Sequence, residues 1–213
     1  LYDSAADYNS GVHDAFVAAA ADDGLEVVAD EAYTTDSNTD YSVQLAKIKK
    51  SGAELLFLPN YYSDNALILQ QASEAGMDIK FFGVDGMDGI LTLEGFDTSL
   101  AEGVMLLTPF NADATDEKTQ NFVNKYKELY GDVPNQFAAD AYDCVYAYKA
   151  ALEASGATAD MTAEELCDKM IEAFPTLTYD GLTGTGITWD STGAVSKTPK
   201  GMVIENGAYV GME

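Results

Sequence analysis

Residues 54–59 read ELLFLP, and this short stretch decides the predicted fold. The run 54–58 is almost entirely apolar and stops at Pro59. A run without polar alternation is typical of a strand that is buried on both faces, as the strands of parallel sheets are. The segments on either side, 41–50 and 65–75, have the spacing of amphipathic helices. Together these three segments predict a parallel β-sheet flanked by helices.

The alternation of strand and helix continues on both sides of residues 41–75. Predicted strands cover 1–3, 25–29, 54–58, 79–83 and 103–108, and predicted helices cover 11–21, 41–50 and 65–75. In the second helix, Val43, Leu45 and Ile48 are expected to face the sheet. Helical crossovers between parallel strands are right-handed. The pattern therefore predicts an α/β fold with helices on both faces of the sheet.

The character of the sequence changes after Pro109. Three helices are predicted, at 116–130, 137–154 and 163–174. Thr162 and Glu165 have the spacing of a capping box at the start of the third helix. Strands are predicted at 186–189, 202–205 and 208–210. The pair Asn206-Gly207 indicates a tight hairpin between the last two.

The charge balance excludes several classes of partner. The chain of 213 residues has 36 acidic and 11 basic side chains, a net charge of −25. Nucleic acid and anionic membrane surfaces would be repelled. The charge itself has two explanations, solubility and a weak attraction for cationic groups. No apolar run is long enough to span a bilayer, so membrane insertion of this segment is not expected.

The sequence lacks the usual signatures of catalysis and metal binding. It has no nucleophile elbow, no phosphate-cradling glycine loop after the first strand and no calcium loop. The single histidine, His13, is interpreted as a solvated helical residue. Cys144 and Cys167 are interpreted as small buried hydrophobes, with a disulfide between neighbouring helices as the alternative. We therefore expect a binding protein without metal or cofactor rather than an enzyme.

Candidate binding residues lie where the predicted strands stop. Tyr8 follows the first strand, Tyr61 follows the third, and Asp85 and Met87 follow the fourth. Ligands of open parallel sheets bind outside the carboxyl ends of the strands. Aromatic faces attract an ammonium group, and a carboxylate adds a charge-assisted hydrogen bond to it. The alternatives are ordinary packing for the tyrosines and a turn role for Asp85.

Six stretches together resemble one family. They are LYDSAADYNSG, TDYSVQLAKIKKSGAELLFLPNYYSDNALILQQASEAG, FFGVDGMDG, AEGVMLLTPF, NQFAADAYDCVYAYKAAL and GLTGTGITWDSTGAV. In this order the chain resembles the substrate-binding proteins of ABC transporters, in the branched-chain amino-acid group. The resemblance implies a periplasmic-binding-protein-like fold of two α/β lobes that close on a ligand. Residues 1–109 and 201–213 would form the second lobe, nearly complete. Residues 110–200 would return to the first lobe, whose N-terminal part is absent from this sequence.

The resemblance also implies roles for the four candidate residues. Tyr8 and Tyr61 correspond to aromatic residues of the ligand cleft, Asp85 to the acidic residue that binds the α-ammonium group, and Met87 to a neighbour of the ligand side chain. The implied function is capture of an amino acid in the cleft and its delivery to an ABC permease. The implied location is extracellular or periplasmic, with a lipid anchor on an absent N-terminal segment. The alternatives are the ligand-sensing domain of a receptor and an enzyme on the same scaffold.

Overall fold

The computed structural model describes residues 1–212, which form seven strands and six α-helices in two compact units. Unit 1 comprises Leu1–Thr108 and Gly201–Glu213, and unit 2 comprises Pro109–Lys200. The assignment of the units to a second and a first lobe stays a prediction.

Unit 1 holds most of the β-structure, in a pair of short strands and a five-stranded sheet. Its strands are β1 (Tyr2–Asp3), β2 (Ala32–Tyr33), β3 (Leu55–Leu58), β4 (Lys80–Gly83), β5 (Met105–Thr108), β6 (Lys200–Glu205) and β7 (Ala208–Gly211). The larger sheet has the order β3-β4-β5-β6-β7. Strands β3, β4 and β5 run parallel, whereas β6 and β7 form the predicted antiparallel hairpin through Asn206 and Gly207. The sheet is therefore mixed.

The helices of unit 1 are α1 (Asp7–Asp22), α2 (Ser42–Ser51) and α3 (Tyr62–Glu74). Leu45 and Ile48 of α2 and Ile68 and Leu69 of α3 are buried with the apolar side chains of β3, β5 and β6 in one core cluster. The prediction that Val43 faces the sheet is wrong, because its side chain is exposed. Between β4 and β5 the chain makes three short 3₁₀ turns instead of a longer helix.

The predicted strand at 25–29 is also wrong. The second strand lies at Ala32–Tyr33, where it pairs in parallel with Tyr2 and Asp3. Tyr33 is buried against Tyr41, with the rings in an edge-to-face arrangement, so this part of the segment gains both a partner strand and a core contact. Leu25, Val27 and Val28 remain exposed. Apolar composition alone does not distinguish the two positions.

Unit 2 is mainly helical, with α4 (Glu117–Tyr130), α5 (Gln136–Ser155) and α6 (Ala163–Ala173). The capping box of Thr162 and Glu165 is confirmed at the start of α6. The predicted strand at 186–189 is wrong, because the segment forms only isolated bridges, from Tyr179 to Ile187 and from Trp189 to Val195. A loop of unit 2 is held instead by the buried carboxyl group of Asp143, to which the Leu182 and Thr183 amides donate at 2.8 Å.

Candidate functional site

Asn60 fixes the end of β3 relative to the start of the chain. It follows Pro59, which stops the strand, and its side chain is completely buried. Its Nδ2 donates to the Leu1 carbonyl at 3.0 Å, and its Oδ1 accepts from Asn9 Nδ2 at 2.9 Å and from the Asp3 amide at 3.3 Å. One amide side chain therefore joins the end of β3 to β1 and to the first turn of α1.

The same asparagine also holds the start of α3. Asn60 Nδ2 donates to Asn65 Oδ1 at 3.2 Å, and Asn65 Nδ2 donates to the Asn60 carbonyl at 2.9 Å. Between them Tyr61 is the N-cap residue of α3, and its extended backbone directs the chain from the strand into the helix. The position of Tyr61 is therefore set by a buried polar cluster, and its ring remains exposed.

The turn after β4 approaches this cluster closely at Gly86. The 3₁₀ turn Asp85–Met87 follows β4 directly. A Cβ atom on Gly86 would lie 2.9 Å from the Asn60 carbonyl oxygen, closer than real Cβ atoms approach, and 3.0 Å from the Tyr8 hydroxyl, which is tighter than most real contacts. Glycine is therefore required at this position for the turn to bring Asp85 next to α1.

Tyr8, Tyr61 and Asp85 come together as the strand ends predict. The Tyr8 hydroxyl donates to Asp85 Oδ1 at 2.6 Å and accepts from the Gly86 amide at 3.1 Å. The rings of Tyr8 and Tyr61 stack, with centroids 5.0 Å apart and planes at 28°. Burial, followed by the hydrogen bond to Asp85, raises the pKa of the Tyr8 hydroxyl above its ordinary value. Tyr8 therefore keeps its proton and remains a donor.

This arrangement has the chemistry of a site for a small cation. A partly exposed carboxyl group lies beside two stacked phenol rings at the carboxyl edge of the strands. Carboxylate oxygens accept charge-assisted hydrogen bonds from an ammonium group, and the ring faces add cation–π attraction. Of the residues predicted to bind a ligand, Tyr8, Tyr61 and Asp85 form this cluster.

Met87 does not share the surface of the cluster. Its side chain is 0% exposed and belongs to the core of unit 1. It folds back over Gly83, where an added Cβ would lie 2.5 Å from the Met87 sulfur. A side chain enclosed in this way has no free surface for a ligand, so we assign Met87 to the core rather than to the site. In sequence, a methionine two positions after an acidic residue does not reveal which way the turn points it.

Two further expectations about single residues are wrong. His13 is not solvated, because its ring stacks on Tyr2 at 3.8 Å and contacts Asp14 at 2.9 Å and Asp30 at 3.0 Å, which leaves 13% of the side chain exposed. Cys144 and Cys167 are exposed rather than buried, and neither forms a disulfide. Both thiols lie on the wall of one cavity in unit 2.

Sequence reasoning missed Asn60 and the steric role of Gly86. A polar residue or a glycine after a strand is ordinary in turns, and neither has a motif that distinguishes it. The only available signal was position, since both directly adjoin residues that were predicted to bind ligand. Their importance comes largely from contacts between distant parts of the sequence, 51 residues apart for Asn9 and Asn60 and 78 residues apart for Tyr8 and Gly86, which local patterns do not contain.

Among residues 1–212, no group of three or more His, Cys, Asp or Glu side chains is placed to hold a metal ion. Within the same range, no helix has both the length and the apolar character needed to cross a membrane.

Comparison with known proteins identifies the family. A family model described as periplasmic binding protein matches residues 1–207. The leucine-, isoleucine-, valine-, threonine- and alanine-binding protein of Pseudomonas aeruginosa is 25% identical over 177 residues, 83% of this chain and 45% of the relative. The Leu/Ile/Val-binding protein homolog 3 of Brucella melitensis is 30% identical over 176 residues, 81% of this chain and 47% of the relative. The chain thus spans about half the length of these curated relatives.

Solved structures give the same result for the fold. The branched-chain amino-acid transporter substrate-binding protein of Streptococcus pneumoniae, in complex with isoleucine, superposes with a TM-score of 0.79 at 26% identity, covering 99% of this chain and 58% of that one. A leucine-binding protein of Thermotoga maritima gives a TM-score of 0.82 at 24% identity, covering 100% of this chain and 58% of that one. The predicted periplasmic-binding-protein-like fold and the predicted resemblance are confirmed, and the chain belongs to the periplasmic binding protein family.

Proposed function

We propose that this chain is the ligand-binding part of a solute-binding protein that captures an amino acid, with Asp85 binding the α-ammonium group beside Tyr8 and Tyr61. The observation that carries the proposal is the cluster itself, in which a carboxyl group and two stacked rings lie at the carboxyl ends of parallel strands. The names of the relatives, which bind leucine, isoleucine and valine, support the choice of ligand class.

Electrostatics favour an ammonium group over an anion at this position. Asp85 belongs to a chain with a net charge of −25, so the surrounding potential attracts cations. Partial burial beside the rings lowers the effective dielectric and strengthens a contact between opposite charges. The carboxylate end of an amino acid would be repelled here, which orients the ligand with its ammonium group toward Asp85.

The rest of the proposal concerns the whole protein. It is a binding protein rather than an enzyme, works outside the cytoplasmic membrane and delivers its ligand to an ABC permease. Support comes from the family and from relatives that are named as transporter substrate-binding proteins. Delivery is tested by uptake of labelled L-leucine in cells that carry or lack the gene.

The ligand contact is tested by calorimetry on the natural full-length protein. L-leucine, L-isoleucine and L-valine are titrated into the wild type and into Asp85→Asn, which keeps the shape of the side chain. Loss of the charge from a partly buried contact should weaken binding of the amino acid by roughly 2 kcal/mol or more. Asp97→Asn is the matched control, because Asp97 is an exposed capping residue of unit 1. Unchanged affinity in Asp85→Asn would contradict the proposed contact.

A further inference from the structure

The Tyr8 hydroxyl has both of its main hydrogen-bonding functions committed to the turn after β4. A phenol has one proton to donate, and Tyr8 gives it to Asp85 Oδ1 at 2.6 Å. The same oxygen accepts the Gly86 amide at 3.1 Å. A hydroxyl held in this way has its only proton committed to Asp85, so its donor function is directed at the protein.

The position of the Tyr8 ring is fixed from two sides. The ring stacks on Tyr61, and its neighbour Asn9 is anchored by the buried side chain of Asn60. Gly86 leaves no space between the Tyr8 hydroxyl and the Asn60 carbonyl for even one additional carbon atom. Tyr8 is therefore a rigid support, and an oxygen that it binds is held at a defined place.

From this geometry, and resting on the proposed function, we propose that Tyr8 is a positioning residue that holds the Asp85 carboxyl group in the orientation that receives the ligand's ammonium group. A donor 2.6 Å away is at the length of a strong O–H···O⁻ bond, which restricts rotation of the carboxyl group. A carboxyl group that is oriented before binding does not lose that freedom on binding, and the affinity rises accordingly. The gain applies only to ligands that carry a cationic nitrogen.

The variant Tyr8→Phe removes the hydroxyl and keeps the ring. We expect about tenfold weaker binding of L-leucine, L-isoleucine and L-valine to the natural full-length protein, the size of one charged hydrogen bond. In a high-resolution crystal structure of unliganded Tyr8→Phe, the Asp85 carboxyl group should depart from its wild-type orientation. The matched control is Tyr33→Phe, which removes another tyrosine–aspartate bond of unit 1, from Tyr33 to Asp64 at 2.9 Å. It should leave these affinities within twofold of the wild type.

A double-mutant cycle separates positioning from direct ligand contact. If Tyr8 acts through Asp85, adding Tyr8→Phe to Asp85→Asn should weaken binding of the amino acids by less than about twofold. An equal loss in both backgrounds would mean that Tyr8 binds the ligand itself, and it would overturn the inference. So would a Tyr8→Phe variant with wild-type affinity and the wild-type orientation of the Asp85 carboxyl group. Failure of the proposed function has a different signature, namely unchanged affinity in Asp85→Asn alone.

Discussion

The two units of the molecule are stabilised in different ways. Unit 1 buries the apolar side chains of its sheet and helices in one continuous cluster that includes Leu58, Ile68 and Leu106. The described residues of unit 2 form smaller clusters, one around Phe110 and Val123 and the other around Ala151 and Met170. Apolar burial contributes stability in proportion to area, so unit 1 gains much more from it.

In unit 2 a buried carboxyl group accepts several hydrogen bonds from one loop. Asp143 accepts hydrogen bonds from the Leu182 amide, from both the amide and the hydroxyl of Thr183, and from the Tyr179 hydroxyl. Asp143 also lines a cavity of about 720 Å³ in unit 2, beside which apolar side chains of α5 and α6 such as Tyr148 and Ile171 are exposed. Exposed apolar patches of this kind mark surfaces that make contacts. The comparison teaches that a unit with smaller apolar clusters can be stabilised further by a buried carboxyl group that binds one of its loops.

The largest expected effect is that of Asp143→Ala. The change leaves buried amides without an acceptor, and we expect unit 2 to lose about 3–5 kcal/mol of its free energy of unfolding. Trp189, the only tryptophan of the chain, lies in unit 2 and reports its denaturant midpoint by fluorescence. Asp140→Ala is the control one turn earlier on α5, where a partly exposed pair with Lys197 contributes about 1 kcal/mol or less. Equal shifts in the two variants would contradict the special role of Asp143.

The second-largest expected effect is that of Ile68→Ala in unit 1, and the same substitution at Ile171 in unit 2 is its comparison. Ile68 of α3 is 0% exposed and Ile171 of α6 is 64% exposed. Ile68→Ala should cost about 2–5 kcal/mol because it opens a cavity in the core. Ile171→Ala should change the free energy of unfolding by no more than about 0.5 kcal/mol. Urea denaturation followed by far-UV circular dichroism measures both. A cost above 2 kcal/mol for Ile171→Ala would show that its surface is covered in solution.

The smallest effects concern one glycine in each unit. Gly11 lies inside α1 with nothing within 4 Å of the place where a Cβ would be, so Gly11→Ala should stabilise unit 1 by about 0.5–1 kcal/mol. Gly156 ends α5 with a φ of +66°, a left-handed conformation that disfavours side chains. Gly156→Ala should destabilise unit 2 by about 1 kcal/mol. Thermal denaturation of both variants measures the two signs, and the same sign in both would contradict the assignment.

The parts of the fold that sequence could predict are those that depend on local pattern. The run at Leu55–Leu58, the capping box of Thr162 and the hairpin at Asn206 were all found, because short spacings specify them. The strand at Ala32–Tyr33 was misplaced, since its position depends on a partner about 30 residues away. The cysteines were expected in a core, but exposure depends on what packs against a helix and not on the helix itself.

The candidate site was predictable in part for the same reason. Tyr61 and Asp85 follow the neighbouring parallel strands β3 and β4, so topology brings them to one edge. Tyr8 follows β1 of the separate two-stranded sheet, which Asn60 joins to the end of β3. The packing of Met87 was not predictable, because it depends on the space left above Gly83. Nor was the hydrogen bond from Tyr8 to Asp85, since its geometry depends on where Asn60 fixes the first turn of α1.

The enclosure of Met87 has a consequence for the order in which the methionines are oxidised. Methionine is oxidised to a polar sulfoxide when its sulfur is accessible, and a sulfoxide in a core disrupts packing. The Met87 sulfur is shielded by the backbone of Gly83 directly behind the turn that presents Asp85, whereas Met212 is exposed. Peroxide would therefore oxidise Met212 well before Met87. The turn at Asp85–Met87 would keep its shape after the exposed methionine has become a sulfoxide.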